Sequence, residues 1–262
     1  MNREELVNIF NDTLEMVERK YPTNTVTPVY YSGNLSSKPT VNYPDIKMVR
    51  GGTVSTGYTL AGEGKRVAIL NFADALVHGG LVTVGEATQE ENICRCSNLY
   101  PVLGSKESYE AYYDPNWEFE SVHKGLYLNN VIYARDITVF RDDETYKEIE
   151  PRKLDVITCP APCRSLIEQE AEYIYTMRIQ QIVLSAKENG AESLVLGAWG
   201  CGAFGQNPSL VARAFAVVLN WYSGYFKQVV FAIRSTPDSK DSSYDIFYNT
   251  LKADYLGGVY EE

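Results

Sequence analysis

The stretch VAILNFADALVHGGLVTVGEATQEENICRCSNLY, from Val67 to Tyr100, decides the fold and holds the strongest candidate for a site. Val67 to Phe72 is apolar apart from Asn71 and has the length of a buried strand. A loop with Gly79 and Gly80 follows, and the pattern then predicts a helix over about Gln89–Leu103. Glycine permits positive φ and lets the main chain approach a ligand closely. The connection therefore predicts a site as well as a turn.

The same residues also have a purely structural interpretation. Glycine-rich turns between a strand and a helix are common, and the helix dipole favours acidic residues in a first helical turn. Glu90 and Glu91 can therefore be a solvated helix start. Successive N–H groups in such a loop can instead cradle phosphate oxygens. Taken separately, neither the glycines nor the carboxylates decide between these two interpretations.

The spacing of residues across the connection is more specific. Asn71-Phe72-Ala73-Asp74 is followed by Gly79 and Gly80, then by eight residues, and then by Gln89-Glu90-Glu91. This pattern resembles the signature of the bacterial-type poly(ADP-ribose) glycohydrolases, a branch of the macrodomain superfamily, in which a glycine triplet precedes Gln-Glu-Glu. The segment NICRCSNLY, from Asn92 to Tyr100, also resembles the arginine- and serine-containing helix of that family.

The resemblance implies an enzyme that hydrolyses ribose–ribose O-glycosidic bonds and releases ADP-ribose, without a metal or another cofactor. Such hydrolysis needs an acid that protonates the leaving oxygen and helps water to attack an oxocarbenium-like centre. The resemblance assigns this general acid and base role to Glu91, with Glu90 and Gln89 positioning it and the ribose hydroxyls. The two glycines of the loop would bind the substrate. Asn71 and Asp74 either contact the adenosine or shape the turn.

The chain departs from the family pattern inside the loop. Where the family has Asn-Pro-Gly-Gly-Gly, this sequence has Val77, His78, Gly79, Gly80 and Leu81. The asparagine that would contact the reacting ribose is thus a valine, the third glycine is a leucine, and the histidine is either a site residue or a surface residue. These departures motivate two rival functions: a hydrolase for a different, mono-ADP-ribosyl linkage, or a non-catalytic macrodomain that binds ADP-ribose-type nucleotides.

A second glycine loop, GAWGCGAFG from Gly197 to Gly205, follows an apolar strand. It resembles the diphosphate loop of the same family, whose main-chain N–H groups bind the substrate diphosphate. Phe204 would then lie against the nucleoside, although it can also be a plain core aromatic. The residues assigned to substrate binding here are Gly200, Cys201, Gly202, Ala203 and Phe204. Similarity to the family covers roughly residues 60–240.

GCGAFG also fits the G-x-G-x-x-G pattern of Rossmann dinucleotide-binding proteins. That fold expects an acidic residue about 20 residues further on, at the end of the next strand. The corresponding segment, YSGYFKQVVFAIRS, contains no acid, and Pro208 delays the next helix beyond the third glycine. The sequence therefore favours the macrodomain interpretation.

Composition excludes several other classes of protein. The formal charge of −10 argues against a general nucleic-acid-binding surface, which needs clustered Lys and Arg. Met1 to Lys20 is a charged amphipathic helix pattern, and is neither a signal peptide nor a membrane span. No other apolar run approaches the ~20 residues that a spanning helix requires. We expect a cytoplasmic monomer whose partner is ADP-ribose, poly(ADP-ribose) or an ADP-ribosylated substrate.

The five cysteines do not form a disulfide framework, since their number is odd and their spacing irregular. Cys159-Pro-Ala-Pro-Cys163 resembles a pair of zinc ligands, but two prolines stiffen the segment between the two cysteines. The only histidines, His78 and His123, are far away in sequence. We therefore expect ordinary reduced thiols and no metal.

Alternation of strands and helices along the chain predicts one α/β domain with a largely parallel or mixed sheet. The resemblance implies a three-layer α/β/α macrodomain-like sandwich, with a core over about 60–240 and an N-terminal helical extension over 1–60. The predicted strands are 65–72, two runs within 126–140, 153–162, 192–199 and 228–233. The predicted later helices are 165–189, one that begins with Asn207 as N-cap and Pro208 in its first turn, and 242–255. A short strand and a turn are predicted over 44–64, and a short helix and a loop that cover the site over 105–125.

Overall fold

The computed structural model describes residues 1–24, 26–163, 166–235 and 242–262. Within them lies one eight-stranded sheet in the order β1-β4-β5-β3-β6-β7-β2-β8. Strand β4 is antiparallel to both of its neighbours, and the other pairs are parallel. The predicted mixed sheet is thus confirmed. The strands are β1 (Val29–Tyr31), β2 (Ile46–Val49), β3 (Val67–Ala73), β4 (Val131–Arg141), β5 (Glu148–Pro160), β6 (Ser193–Leu196), β7 (Gln228–Ala232) and β8 (Val259–Glu261).

Helices cover both faces of the sheet. The helices are α1 (Arg3–Lys20), α2 (Thr53–Gly62), α3 (Gln89–Cys96), α4 (Leu99–Leu103), α5 (Lys106–Ser108), α6 (Asp114–His123), α7 (Glu168–Glu188), α8 (Pro208–Tyr222) and α9 (Ser243–Asp254). Side chains alternate along β3: Ala68 and Leu70 join the core under α7, α8 and α9, whereas Val67 and Ile69 join the core under α1 to α4. Because β3 is buried on both faces, its sequence is apolar except for Asn71. The three-layer α/β/α sandwich is confirmed.

The sheet extends beyond residues 60–240. Strands β1 and β2 come from the predicted N-terminal extension, and β8 comes from the C-terminal end of the chain. Between β2 and β3 lies α2, where the sequence predicted only a strand and a turn. No helix in the described part of the chain is long and apolar enough to cross a bilayer.

The predicted helix over Gln89–Leu103 was wrong in its continuity, because the chain leaves helical geometry at Ser97. Ser97 adopts extended dihedral angles (φ −147°, ψ 176°) and forms an isolated bridge with Val139 of β4. The next residue, Asn98, exchanges hydrogen bonds with Thr138: its N–H donates to the Thr138 carbonyl (3.2 Å), and its Oδ1 accepts from the Thr138 N–H (2.8 Å). Strand pairing thus interrupts the helix, and α4 begins afterwards.

Two further predictions need correction. The runs within 126–140 were predicted as separate strands, but a single strand β4 runs through a bulge between Ala134 and Ile137, where Asp136 has φ +57°. The polar and aromatic segment after Leu103 was predicted as a short helix and a loop. It is helical from Lys106 to His123, because a π-helical turn over Tyr109–Tyr113 joins α5 to α6. That turn adds a residue to the helical period, which removes a clean 3.6-residue pattern.

The remaining helices follow the sequence closely. Asn207 caps α8, its side chain accepting from the Ser209 N–H at 3.0 Å, and Pro208 occupies the first turn. Both features were predicted. The described part of α7 begins at Glu168, and its predicted start at Ser165 lies outside the described residues.

Candidate active site

A cavity of about 620 Å³ opens at the carboxyl ends of the parallel strands. Its walls are the connections that follow β2, β3, β6 and β7, including Gly51, Asp74, Ala198 and Ile233. Ligands of open α/β sheets bind at this end of the strands. The volume lies within the range of about 300–1,000 Å³ that is usual for small-molecule sites.

The first glycine loop is fixed by two close approaches. Gly79 and Gly80 have φ angles of +68° and +58°, which lie in the left-handed region. A Cβ on Gly79 would lie 2.6 Å from the Tyr100 ring, and a Cβ on Gly80 would lie 2.4 Å from Glu91 Oε1. Only glycine satisfies both the dihedral angles and the contacts. The loop therefore lies directly on the carboxylate that the sequence assigned to catalysis.

Glu91 lines the cavity and is held at both oxygens. Its Oε1 accepts a hydrogen bond from the Leu81 N–H at 2.9 Å, and its Oε2 accepts one from Thr88 Oγ1. Thr88 is the N-cap of α3, so the helix start orients the carboxylate. The Leu81 N–H requires an acceptor at Oε1, so a protonated Glu91 carries its proton on Oε2. The Thr88 hydroxyl then turns and accepts the hydrogen bond that this proton donates.

Glu90 lies behind Glu91 and is 2% exposed. Its Oε1 accepts from Asn71 Nδ2 at 3.1 Å, and its Oε2 accepts from the Asp74 N–H at 2.7 Å. Burial raises the pKa of Glu90 well above its ordinary value, while the two donated hydrogen bonds act in the opposite direction. Since both oxygens are occupied by donors from β3 and its loop, Glu90 ties the helix start to the strand end.

Gln89 has a related role. Its side-chain Oε1 accepts from the Phe72 N–H at 2.8 Å, and its Nε2 donates to the Leu70 carbonyl at 2.7 Å. The amide thereby pairs with the backbone of β3 as another strand would. Gln89 positions the first turn of α3, and both of its polar groups are used within the chain.

The hydrogen bonds of Asn71 and Asp74 bear on whether these residues contact the adenosine or shape the turn. Asp74 Oδ1 accepts from the N–H groups of Leu76 (2.7 Å) and Val77 (3.0 Å), so this side chain shapes the turn, although Asp74 also lines the cavity. Asn71 is fully buried, and its Nδ2 contacts Glu90 and Thr158 Oγ1. Asn71 thus supports Glu90 from behind the cavity wall.

His78 packs inside an aromatic cluster and is half-buried. Its Nδ1 lies 2.8 Å from Tyr109 Oη, and its ring lies 4.5 Å from that of Tyr100. Burial lowers the pKa of His78 below its ordinary value, so the neutral imidazole is favoured. A Cβ on Gly104 would lie 2.8 Å from His78 Nε2. The histidine anchors the loop to α4 and the π-helical turn, and it does not line the cavity.

The second glycine loop forms the opposite wall, where Gly200, Cys201, Gly202, Ala203 and Phe204 all line the cavity. Gly200 has φ +79°, and a Cβ there would lie 2.4 Å from Tyr175 Oη. Within the described residues, the N–H groups of Gly202, Ala203 and Phe204 donate no hydrogen bond inside the chain. Free N–H groups ahead of a helix start suit an anion. Burial raises the pKa of the Cys201 thiol to about 12, which disfavours a thiolate.

A third wall was missed by sequence reasoning. Gly51, Gly52 and the first turn of α2 line the cavity, and a Cβ on Gly52 would lie 2.0 Å from Asp143 Oδ2. Arg234 lines the cavity beside this wall, and its Nη2 is 3.2 Å from Asp143 Oδ2. The Gly-Gly pair after a short apolar run was the available signal, because it repeats the strand, glycine and helix order of the other two loops.

Arg95, one helical turn beyond Glu91, was also missed. It is fully buried, and its guanidinium donates to the carbonyls of Leu6 and Glu86, while Thr13 Oγ1 donates to the Arg95 carbonyl at 2.7 Å. Helix α1 therefore packs directly behind α3. The N-terminal segment belongs to the structure that supports the site, which its amphipathic sequence did not reveal.

The structure thus brings together the residues that the sequence assigned to the site. Gln89, Glu90, Glu91, Asp74 and Gly80 line one side of the cavity. The second glycine loop lines the other side. Asn71 and Gly79 lie behind the first side of the cavity and support it. A macrodomain-type sandwich with a nucleotide-sized cavity, free N–H groups on one wall and buried carboxylates on the other defines a class of protein that binds and processes ADP-ribose-type nucleotides.

Comparison with known proteins identifies the family. A family model described as the catalytic domain of microbial-type PARG matches residues 5–142, slightly more than half of the chain. None of the curated proteins compared with the chain matches it. The chain belongs to the microbial-type PARG catalytic-domain family.

Solved structures agree with this assignment. Poly(ADP-ribose) glycohydrolase from Thermomonospora curvata is 27% identical with a TM-score of 0.79, covering 95% of this chain and 100% of that one. The same enzyme bound to the inhibitor ADP-HPD has a TM-score of 0.76 at 27% identity, covering 94% and 99%. The glycohydrolase from Deinococcus radiodurans in complex with ADP-ribose is 26% identical with a TM-score of 0.72, covering 95% and 90%.

Proposed function

We propose that the protein hydrolyses the ribose–ribose O-glycosidic bonds of poly(ADP-ribose) and releases ADP-ribose. The observation that carries this proposal is the placement of Glu91. Its carboxylate is held by Leu81 and Thr88 and lines the same cavity as the second glycine loop, whose N–H groups are free. The relatives from Thermomonospora and Deinococcus, crystallised with ADP-HPD and ADP-ribose, support the same ligand.

The reaction needs one proton donor and one water molecule. Glu91 Oε2 gives its proton to the oxygen that leaves the anomeric carbon, and the bond between that carbon and that oxygen breaks. Water adds to the oxocarbenium-like centre, and its released proton returns to Glu91. In this scheme Glu90 and Gln89 transfer no proton and hold the first turn of α3 against β3 and its loop.

Binding of the diphosphate falls to the main chain of the second loop. The lining of the cavity includes only one cationic side chain among the described residues, Arg234, and this side chain is paired with Asp143. Gly202, Ala203 and Phe204 instead offer N–H groups, and the start of α8 adds favourable potential. This arrangement fits a chain with a net charge of −10, which binds one anionic group locally and not a polyanion broadly.

Gly200→Ala is expected to weaken ADP-ribose binding by about 10-fold or more. The new methyl group would press on Tyr175 Oη and, at 2.9 Å, on the Ala161 Cβ, so the loop must shift its N–H groups. Isothermal titration calorimetry with ADP-ribose measures the effect. Gly190→Ala is the control: Gly190 has φ +76°, does not line the cavity, and a Cβ there has no heavy atom within 4 Å, so binding should change by less than about 3-fold. Equal losses in the two variants would contradict this account.

The activity itself is tested with purified poly(ADP-ribose) and the native protein. We expect free ADP-ribose to accumulate as the polymer shortens, measured by anion-exchange chromatography. Binding of ADP-ribose without any release from polymer would reject the proposal. It would leave the two alternatives that the departures at Val77 and Leu81 raise, which a mono-ADP-ribosylated protein then separates: release indicates a hydrolase of that linkage, and no release indicates a nucleotide-binding protein.

A cytoplasmic location is part of the proposal. The five cysteines are all free, and Cys94, Cys96 and Cys159 are buried. Unpaired thiols in this number are typical of proteins in reducing compartments. The reduced and oxidised protein are expected to differ little in activity, since no thiol is assigned a role in the reaction.

A further inference from the structure

Apolar side chains are exposed around the reaction end of the cavity. They lie in the loop that also holds Gly80, or against that loop. We call this set the apolar rim: Val77 (40% exposed), Leu81 (51%), Val84 (54%) and Trp117 (51%). Leu81 also lines the cavity, and its N–H donates to Glu91 Oε1. Leu81 therefore places the rim beside the carboxylate, while the other three side chains lie outside the lining of the cavity.

Trp117 is the best-defined member of the rim. It lies on α6, and its Nε1 donates a hydrogen bond to the Leu76 carbonyl at 3.0 Å. The only polar group of the side chain is thereby satisfied, while half of the side chain stays exposed. A tryptophan that is fixed by a hydrogen bond and exposed over its ring offers a flat apolar surface at little cost in conformational entropy.

The charge of this region argues against a phosphate site. Between Asn71 and Thr88 the chain has no Lys or Arg, and its charged residues there are Asp74 and Glu86. The N–H groups of Leu76, Val77 and Leu81 are already used by Asp74 and Glu91. Arg3 reaches this loop, but its guanidinium pairs with Glu86 at 2.9 Å. An uncharged aromatic group therefore suits the rim better than an anionic one.

We propose that the apolar rim binds the adenine base of the leaving nucleoside, with the base lying on the Trp117 ring. This inference rests on the proposed function. In poly(ADP-ribose), the alcohol released at each ribose–ribose bond is a ribose hydroxyl of the next adenosine, so an adenine base is attached close to the scissile oxygen. Its faces are apolar and aromatic, which matches the rim in size and charge. Val77 and Leu81, which replace an asparagine and a glycine of the family pattern, thereby become determinants of specificity for the leaving side.

The test compares a substrate that has this base on the leaving side with one that lacks it. One is the polymer, and the other is ADP-ribose joined by the same ribose–ribose bond to a ribose that carries no adenine. Trp117→Ala is expected to lower kcat/KM for the polymer by about 10-fold, the effect of losing one base–aromatic contact. It should leave kcat/KM for the base-free substrate and the calorimetric affinity for ADP-ribose within about 2-fold, because neither has a leaving-side base.

Matched variants protect the result from a folding artefact. Trp117→Phe keeps a flat ring and should retain most of the preference for polymer. Trp221→Ala (41% exposed, on α8) and Val122→Ala (74% exposed, on α6) remove exposed apolar side chains elsewhere and should change neither substrate. Val77→Ser alters the rim at an exposed position and should lower the preference for polymer by a few fold.

The inference is overturned if Trp117→Ala slows both substrates equally, or if the native protein shows no preference for the polymer over the base-free substrate. Hydrolysis of both substrates at equal rates would leave the proposed function standing and would remove only the adenine site. Hydrolysis of neither would reject both proposals together.

Discussion

Glu91→Gln is expected to lower the rate of poly(ADP-ribose) hydrolysis by about 10²- to 10⁴-fold, the usual contribution of a positioned acid or base. Glutamine has the size of glutamate and keeps both contacts of the side chain. Its Oε1 can accept from the Leu81 N–H, and its Nε2 can donate to Thr88 Oγ1. What is lost is the exchangeable proton. A loss of this size corresponds to about 3–5 kcal/mol of transition-state stabilisation.

Binding separates this effect from damage to the cavity. The affinity of Glu91→Gln for ADP-ribose should stay within about 3-fold of the native value, because the amide preserves the local hydrogen bonds. Glu86→Gln is the matched control. Glu86 lines the same cavity, but its carboxylate pairs with Arg3 at 2.9 Å and is partly exposed to solvent.

Single-turnover hydrolysis of polymer measures both variants. Glu86→Gln should retain activity within about 3-fold, since an exposed ion pair contributes little to stability. A fully active Glu91→Gln would show that another group supplies the proton. Equal loss in Glu86→Gln would show that any change of charge in the cavity is sufficient, and the role of Glu91 would then fail.

The position of Glu91 beside the first glycine loop was predictable from the sequence for a local reason. Strand β3, its glycine loop and the first turn of α3 are adjacent in the chain, so the spacing from Gly80 to Glu91 alone defines which side chains meet. The second glycine loop has the same property, and the capping of α8 by Asn207 depends only on neighbouring residues. Short-range geometry of this kind is recorded in the order of residues.

Features that depend on distant partners were not accessible in this way. Helix α2 has the sequence TVSTGYTLAG, whose β-branched residues and glycines have low helix propensity, and its packing on β3, β5 and β6 stabilises it. The break at Ser97 needs Val139, and the third wall of the cavity needs Asp143 beside Gly52. Val139 and Asp143 lie more than 40 residues from Ser97 and Gly52, so no local pattern marks these contacts.

The roles of Gln89, Asn71 and Asp74 show the same limit at the scale of single side chains. Their positions beside the loop were predicted, but an amide or carboxylate in a site can face either the ligand or the chain. The choice depends on whether backbone groups of β3 and the turn are within reach, and here they are. Glu91 also lines the cavity, but its two partners are a loop N–H and the helix cap, and not the backbone of β3.

Gly80→Ala is expected to lower hydrolysis of polymer by at least about 100-fold, because a displacement of about 1 Å in a catalytic group can cost that much. The added methyl group would lie 2.4 Å from Glu91 Oε1 and 3.2 Å from Glu90 Oε2. Neither carboxylate can retreat freely, since Glu90 is buried and Glu91 is held by Thr88 and Leu81. The φ angle of +58° adds strain of about 1–2 kcal/mol for a residue with a side chain.

Gly64→Ala separates the strain from the collision. Gly64 has φ +78°, and a Cβ there has no heavy atom within 4 Å, so this variant has the same backbone strain without a contact near the site. Both variants should lower the free energy of unfolding in urea by about 1–2 kcal/mol. Only Gly80→Ala should also lose activity at temperatures where both remain folded. If the two variants keep equal activity, the loop tolerates a side chain beside Glu91, and the tight fit between loop and carboxylate is not what aims the proton donor.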